Sequence, residues 1–259
     1  MALTGGEIRL ERGHDGRVAY LTLDHGKYNI ITMETRQVMA DRFAEIDADK
    51  DVQVVVIKGE GEHFSSGGDI PGFMEVEPVD FTDLGQNVTA PSRSPKPVIT
   101  AVDGYCFGVG FELALSTDIR IATERSEFAL PEMRLGMMPG SGGTQRLARL
   151  IGLSRAKYHV LTASRIKAQQ AGDWGLVSAV VADRAAMDAE VERLVTTMLG
   201  YSPLALRTAK EVLDKGVDAP LYSGIELERK AYAMLRSSHD FAEGVDAFTN
   251  KRTPKFQGR

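Results

Sequence analysis

Residues 18–24, VAYLTLD, alternate apolar and polar positions and predict a strand with one buried face. Over residues 33–49 the period changes: Val38, Met39, Phe43 and Ile46 recur at about 3.6-residue spacing, the mark of an amphipathic helix. Residues 52–59, VQVVVIKG, form a β-branched run without alternation, as expected of a strand covered on both faces. Residues 96–104, KPVITAVDG, repeat that signature, and residues 118–124, DIRIATE, add a short strand. Beyond about Leu150 the texture becomes helical, at 154–163, 184–199, 202–216 and 228–252, with Ser154 and Ser202 as N-caps and Gly216 as a stop. Strand and helix signals in alternation, followed by helices alone, predict an α/β core over residues 1–195 and a helical region over 196–259. No Ser/Gly-rich linker separates them, so the helical region is expected to dock on the core or on a neighbouring copy.

Residues 71–95, PGFMEVEPVDFTDLGQNVTAPSRSP, fit neither pattern. A connector of that length in a compact fold acts as a lid or binding wall, or it is a surface loop with one helical turn; both readings stay open.

Composition narrows the classes of function. With 259 residues the chain can bury a sizeable core without disulfides or metals. Its hydrophobic fraction of 43% and charged fraction of 26% are those of an ordinary globular protein. A net charge of −5 leaves no basic footprint for general nucleic-acid binding, so no nucleic-acid partner is expected. One cysteine, Cys106, permits no intrachain disulfide and reads as inert core. The first residues, MALTGGEIRLERGHDGR, hold no long apolar run, so neither a signal peptide nor a membrane partner is expected, and the cytoplasm is the default compartment.

Three glycine-bearing loops carry the candidate chemistry: HFSSGGDI at 63–70, YCFGVG at 105–110 and MMPGSGGTQRL at 137–147. Glycine lets backbone approach a ligand closely. The first two loops each follow an apolar strand, so their N–H groups can point into one crevice and stabilise a developing negative oxygen, aided by the start of the helix at Gly110. Directly after the second loop stands Glu112, inside the apolar run GFELAL, where a carboxylate is costly unless paired, hydrogen-bonded or protonated. A second carboxylate, Glu132 in LPEMRLG, follows a proline and so belongs to an extended or turning segment. Taken singly, each glutamate also fits a solvated surface position. Facing one crevice together, they would repel, raise one pKa and share a proton, which supplies an acid and a base near neutral pH.

Other chemistries lack their residues. GVGFEL does not complete a G-x-G-x-x-G dinucleotide loop, and neither a Walker loop nor a G-x-S-x-G elbow occurs. The five histidines form no i, i+4 metal pair, so no metal is expected; His63, beside the first glycine loop, reads as packed or capping.

In this order the pieces resemble the crotonase (enoyl-CoA hydratase/isomerase) superfamily. The carrying residues are FSSGGDI at 64–70, KPVITAVDGYCFGVGFELALSTDIRIA at 96–122, FALPEMRLGMMPGSGGTQRLARLIG at 128–152 and ASRIKAQQAGDWGLVSAVV at 163–181, with a tail ending FTNKRTPKF. The likeness covers essentially the whole chain. It implies an α/β fold, a crotonase-like spiral of ββα units with a C-terminal helical trimerisation region, and a homo-oligomer that is a trimer or a dimer of trimers. It implies an acyl-CoA thioester substrate, so coenzyme A belongs to the substrate and no separate cofactor is needed. The thioester carbonyl would lie between the N–H groups of Gly68 and Val109, although the family usually has glycine where Val109 stands. Glu112 and Glu132 match the two catalytic glutamates of enoyl-CoA hydratases, whereas isomerases, hydrolases and decarboxylases of the family commonly keep one or neither. Hydration of a 2-enoyl-CoA is therefore the first expectation, with Glu132 handling the C2 proton and Glu112 activating water. The alternatives are isomerisation, hydrolytic cleavage of a cyclic ketone or β-diketone, and a non-catalytic RNA-binding paralogue. By the same resemblance Ser65 and Ser66 make backbone contacts to the CoA portion; Asp69 and Ile70 are further substrate-binding candidates, and Lys27 is a candidate phosphate partner. Pro71 replaces a lysine common in relatives, and Lys251 and Lys255 are further phosphate candidates. Phe73, Met74, Phe81 and Leu84 are candidates for the acyl pocket.

Overall fold

The computed structural model describes residues 7–75, 77 and 85–259. Contacts divide the chain into two compact units, Met1–Ser94 with Val98–Glu192, and Pro95–Pro97 with Arg193–Arg259.

The larger unit holds the strands β1 (Glu7–Gly13), β2 (Val18–Asp24), β3 (Val54–Gly59), β4 (Val98–Val102), β5 (Tyr105–Phe107), β6 (Ile119–Thr123), β7 (Glu127–Ala129), β8 (Ile166–Lys167) and β9 (Ala179–Val181). Six of them form a sheet in the order β1-β2-β3-β4-β6-β9. β1 and β2 pair antiparallel, and every later neighbour pairs parallel. The β-branched runs predicted from the sequence are its centre. Val54–Ile57 and all of β4 are buried, each fully covered Val or Ile contributing about 1.5–3 kcal/mol. A second sheet, β5-β7-β8, is built from strands of two or three residues, and none of these stood out from periodicity.

The helices of this unit are α1 (Met33–Ala48), α2 (Val109–Leu115), α3 (Gly143–Ile151), α4 (Leu153–Thr162) and α5 (Ala168–Asp173); α6 (Arg184–Leu199) spans the division. α1 begins on a reciprocal cap: the Thr35 N–H donates to Thr32 Oγ1 at 3.1 Å, and the Thr32 N–H donates to Thr35 Oγ1 at 3.3 Å. Its Met39, Phe43 and Ile46 are buried, as their spacing requires.

The smaller unit continues with α7 (Pro203–Val217), α8 (Leu221–Arg236) and α9 (His239–Thr249). Ser202 caps α7, accepting the Ala205 N–H at 3.2 Å. The Ser202 hydroxyl donates at 2.5 Å to the buried carboxylate of Asp240, which also accepts the N–H groups of Gln257 (2.7 Å) and Gly258 (2.9 Å) and so pins the C-terminal residues to the start of α9. Three sequence expectations are corrected. α4 starts at Leu153 behind Gly152, so Ser154 lies inside the helix rather than capping it. α7 runs past Gly216 to Val217, because that glycine is not in the left-handed region that ends a helix. The helix expected over 228–252 starts earlier and breaks at Ser237 and Ser238, where the Ser238 side chain caps α9.

Among the described residues no helix is long and apolar enough to cross a membrane, and no group of three His, Cys, Asp or Glu residues is placed to hold a metal ion.

Candidate active site

After β3 the chain runs back as Phe64–Asp69 between two neighbours and is held by backbone bonds on both sides. Ser65 donates to the Tyr105 carbonyl at 2.9 Å and accepts the Phe107 N–H at 3.0 Å. On the other edge, Ile31 donates to Gly67 at 2.9 Å, while Ser66 donates to Tyr28 at 2.9 Å and Asp69 to Ile31 at 3.3 Å. The alternation turns the Gly68 N–H away from Ile31. Among the described residues neither the Gly68 N–H nor the Val109 N–H has an acceptor. The two residues are neighbours: a methyl group placed on the Gly68 Cα would lie 3.6 Å from Val109 Cγ1 and 2.6 Å from the Phe73 ring.

The turn before α2 explains the pattern GVG. Gly108 has φ 52° and ψ −130°, which a residue with a side chain avoids. Gly110 packs on Ser65, where an added methyl would lie 2.6 Å from Cβ and Oγ. Val109 is the first helical residue and is not among the positive-φ positions, so a β-branched side chain fits there without backbone strain.

Glu112 lies in the first turn of α2 and is 2% exposed. Its Oε1 accepts two backbone N–H groups of the third glycine loop, from Ser141 at 2.7 Å and Gly143 at 2.9 Å. Burial pushes its pKa up; those two N–H groups and the charge of Arg36 oppose the rise. Glu132 opens the 3₁₀ turn Glu132–Leu135 behind Pro131, which is the turning segment expected of it. One of its oxygens faces the Gly108 Cα, where an added methyl would lie 3.4 Å from Oε1. The other, Oε2, is buried and has no hydrogen-bond partner among the described residues. Burial, and after it the charge of Glu112, pushes the Glu132 pKa up to about 7, against a hydrogen bond from its own backbone. Two coupled carboxyls, one cradled by N–H donors and one bare, therefore stand beside a pair of unengaged backbone donors.

Two contributors escaped the sequence reading. The loop at 137–147 stood out for its glycines, but not as the cradle of Glu112; GSGG at the start of a helix is the signal, since such a turn presents N–H groups without partners. Arg36 is buried in α1, in phase with Met39, Phe43 and Ile46, and that phase alone marks it as a cation facing inward. Its guanidinium lies 5.7 Å over the Phe73 ring and is coupled to Glu112.

The remaining candidates sort by their surroundings. Ser65 is fully buried with its backbone N–H and C=O both engaged, so it positions the loop. Its Oγ accepts the Gly67 N–H at 3.2 Å. Ser66 and Gly68 are half-buried, Ile70 is 45% exposed, and the buried Asp69 turns its carboxylate toward Gly72. Lys27 is exposed and lies 5.4 Å over the Tyr28 ring. His63 is packed, stacking on Tyr105 at 4.3 Å and accepting the Tyr105 N–H at 3.2 Å. Cys106 is buried core whose thiol pKa is raised by burial. Phe73 covers Gly68 and Met74 is exposed; Phe81 and Leu84 lie outside the described residues.

Residues 13–259 match the family described as Enoyl-CoA hydratase/isomerase. The chain belongs to that family. It is 37% identical over 246 residues to 2,3-dehydroadipyl-CoA hydratase of Escherichia coli K12, covering 94% of this chain and 96% of the relative. It is also 37% identical over 254 residues to carnitinyl-CoA dehydratase of Salmonella agona, covering 95% and 97%. A crystal structure of enoyl-CoA hydratase from Bacillus anthracis superposes with a TM-score of 0.91 at 31% identity, over 97% of this chain and 99% of that one. The fold is thus the crotonase fold, and the protein is an enzyme of the enoyl-CoA hydratase/isomerase family.

Proposed function

We propose that this enzyme adds water across the C2=C3 bond of a 2-enoyl-CoA thioester to give a 3-hydroxyacyl-CoA. The observation that carries the reading is the pair Glu112 and Glu132 beside the unengaged N–H groups of Gly68 and Val109. The thioester oxygen accepts both N–H groups, which act where charge develops; a donor of this kind is worth about 10²–10³ in rate. Glu112, whose N–H cradle favours its ionised form, takes a proton from the water that adds at C3. Glu132, held neutral up to about pH 7, delivers a proton to C2 as the enolate collapses. The water O–H bond breaks, the C3–O and C2–H bonds form, and the proton taken by Glu112 restores Glu132 before the next turnover. The same groups run the reverse dehydration, consistent with relatives named for either direction. Around the CoA portion, the exposed Lys27 offers a cation to phosphate, and Ser66 and Ile70 are accessible on the thioester loop itself.

The same reading includes a homo-oligomer, a trimer or a dimer of trimers. Its support is the apolar surface on the smaller unit, where Leu213, Val217, Leu221, Tyr222 and Phe248 are exposed.

Purified enzyme assayed against linear, branched, aromatic and cyclic 2-enoyl-CoA thioesters, followed by loss of the enoyl absorbance, tests the reaction. Hydration of at least one member is expected. Double-bond migration without hydration, or cleavage of a cyclic ketone instead, would replace the proposal with another reaction of the family.

A further inference from the structure

The turn Gly108–Val109–Gly110 leaves one position free to carry a side chain. Gly108 is bound to its left-handed conformation and also faces Glu132, and Gly110 has no room beside Ser65. Val109 alone tolerates a Cβ, being the first residue of a helix and in ordinary helical backbone. Its side chain is not directed to solvent: Val109 is 4% exposed, and its Cγ1 approaches within 3.6 Å of the point where a methyl on Gly68 would stand. The Phe73 ring comes within 2.6 Å of the same point. A branched aliphatic side chain and an aromatic ring thus crowd the same point beside Gly68, next to one of the two N–H donors.

On the reading that these N–H groups hold a thioester carbonyl, a ligand enters this gap with its carbonyl oxygen first. The acyl atom bonded to that carbonyl is C2. An sp² C2 bearing one hydrogen keeps the acyl group flat and thin as it leaves the gap. A methyl on C2 lies in the same plane, within about one bond length of the carbonyl carbon, and must displace the valine or the ring. Closely packed walls do not yield without cost.

We propose that the Val109 side chain, as distinct from its N–H, is a specificity determinant that restricts this enzyme to thioesters unsubstituted at C2. The inference rests on the site being a thioester site, and it assigns the substrate class a feature that the glutamate pair does not address. Substituents at C3 and beyond are outside its reach.

The test separates fit from turnover. Binding of butyryl-CoA and 2-methylbutyryl-CoA to the full-length protein is measured by calorimetry, since neither saturated thioester can be hydrated. kcat/KM is measured in parallel for crotonyl-CoA, its 2-methyl analogue and its 3-methyl analogue. The unaltered enzyme is expected to disfavour the 2-methyl member of each pair by about 10–200-fold, the range one methylene commands in an apolar site. Val109→Ala should narrow the 2-methyl discrimination at least tenfold and leave the 3-methyl to crotonyl ratio within about twofold. Phe73→Leu, which removes the ring crowding the same point, controls for a general loosening of the site. Equal binding of the two saturated thioesters by the unaltered protein, or an unchanged ratio in Val109→Ala, would overturn the inference. Failure to hydrate crotonyl-CoA, with the binding ratio as expected, would count against the hydratase reading and leave the slot assignment supported.

Discussion

At neutral pH the Glu132 side chain works against the fold. Its carboxyl titrates near 7 in place against 4.5 ordinarily, because burial and the charge of Glu112 both oppose ionisation. The sign follows from linkage. Below about pH 4.5 the carboxyl is protonated whether the chain is folded or not, and it costs nothing; between 4.5 and 7 the unfolded chain gains by ionising; above 7 the cost is complete, at up to about 3 kcal/mol. Glu132→Gln is therefore expected to raise Tm at pH 8, with the gain shrinking toward pH 4.5. A gain independent of pH, read by thermal denaturation across that range, would remove the electrostatic explanation. The same titration sets activity. With Glu132 as the proton donor for hydration, kcat/KM should fall about tenfold per pH unit on the alkaline side of an apparent pKa near 7 that belongs to the coupled pair. A hydration rate that rises through pH 7 would exchange the roles of the two glutamates.

At the scale of elements, the site depends on three glycine loops brought together by strands of two or three residues. The sequence announced the loops and both glutamates, since a carboxylate inside GFELAL and another behind a proline are local anomalies. It did not announce the cradle, because the Ser141 and Gly143 N–H groups lie 29 and 31 residues from the carboxylate they hold. Nor did it reveal β5, β7 and β8, which are too short to express a period. The bridges Ile31–Gly68 and Ser65–Cys106, which set the direction of the Gly68 N–H, are single residue pairs with no sequence signature at all. The cradle has a direct test. A methyl on Gly143 would lie 2.9 Å from Glu112 Oε1, 3.0 Å from its Cγ and 3.1 Å from Leu130 Cδ1, so the carboxylate must shift to admit it. Gly143→Ala is expected to lower kcat at least tenfold while circular dichroism stays native. Unimpaired turnover in a folded variant would mean that the cradle does not position the base.

For the whole molecule, pattern and composition were enough for an α/β core and a helical C-terminal region, because long buried strands and capped helices write themselves in periods of two and 3.6. The observed division, at Glu192 and Arg193, falls inside α6, whereas the sequence expectation set it at 195/196. The exposed apolar residues of α7–α9 set a further expectation. A 28.2 kDa chain should elute with the mass of three or six copies in size-exclusion chromatography with light scattering, and a monomer at micromolar concentration would contradict the oligomer. The central claim is that two glutamates and two backbone donors make one hydration site. Crotonyl-CoA turnover by the unaltered enzyme, Glu112→Gln and Glu132→Gln, with butyryl-CoA affinity measured alongside, addresses it most directly. Each variant should lose about 10²–10⁴ in kcat and keep its thioester affinity within a few-fold; hydration near the unaltered rate by either variant would contradict the account.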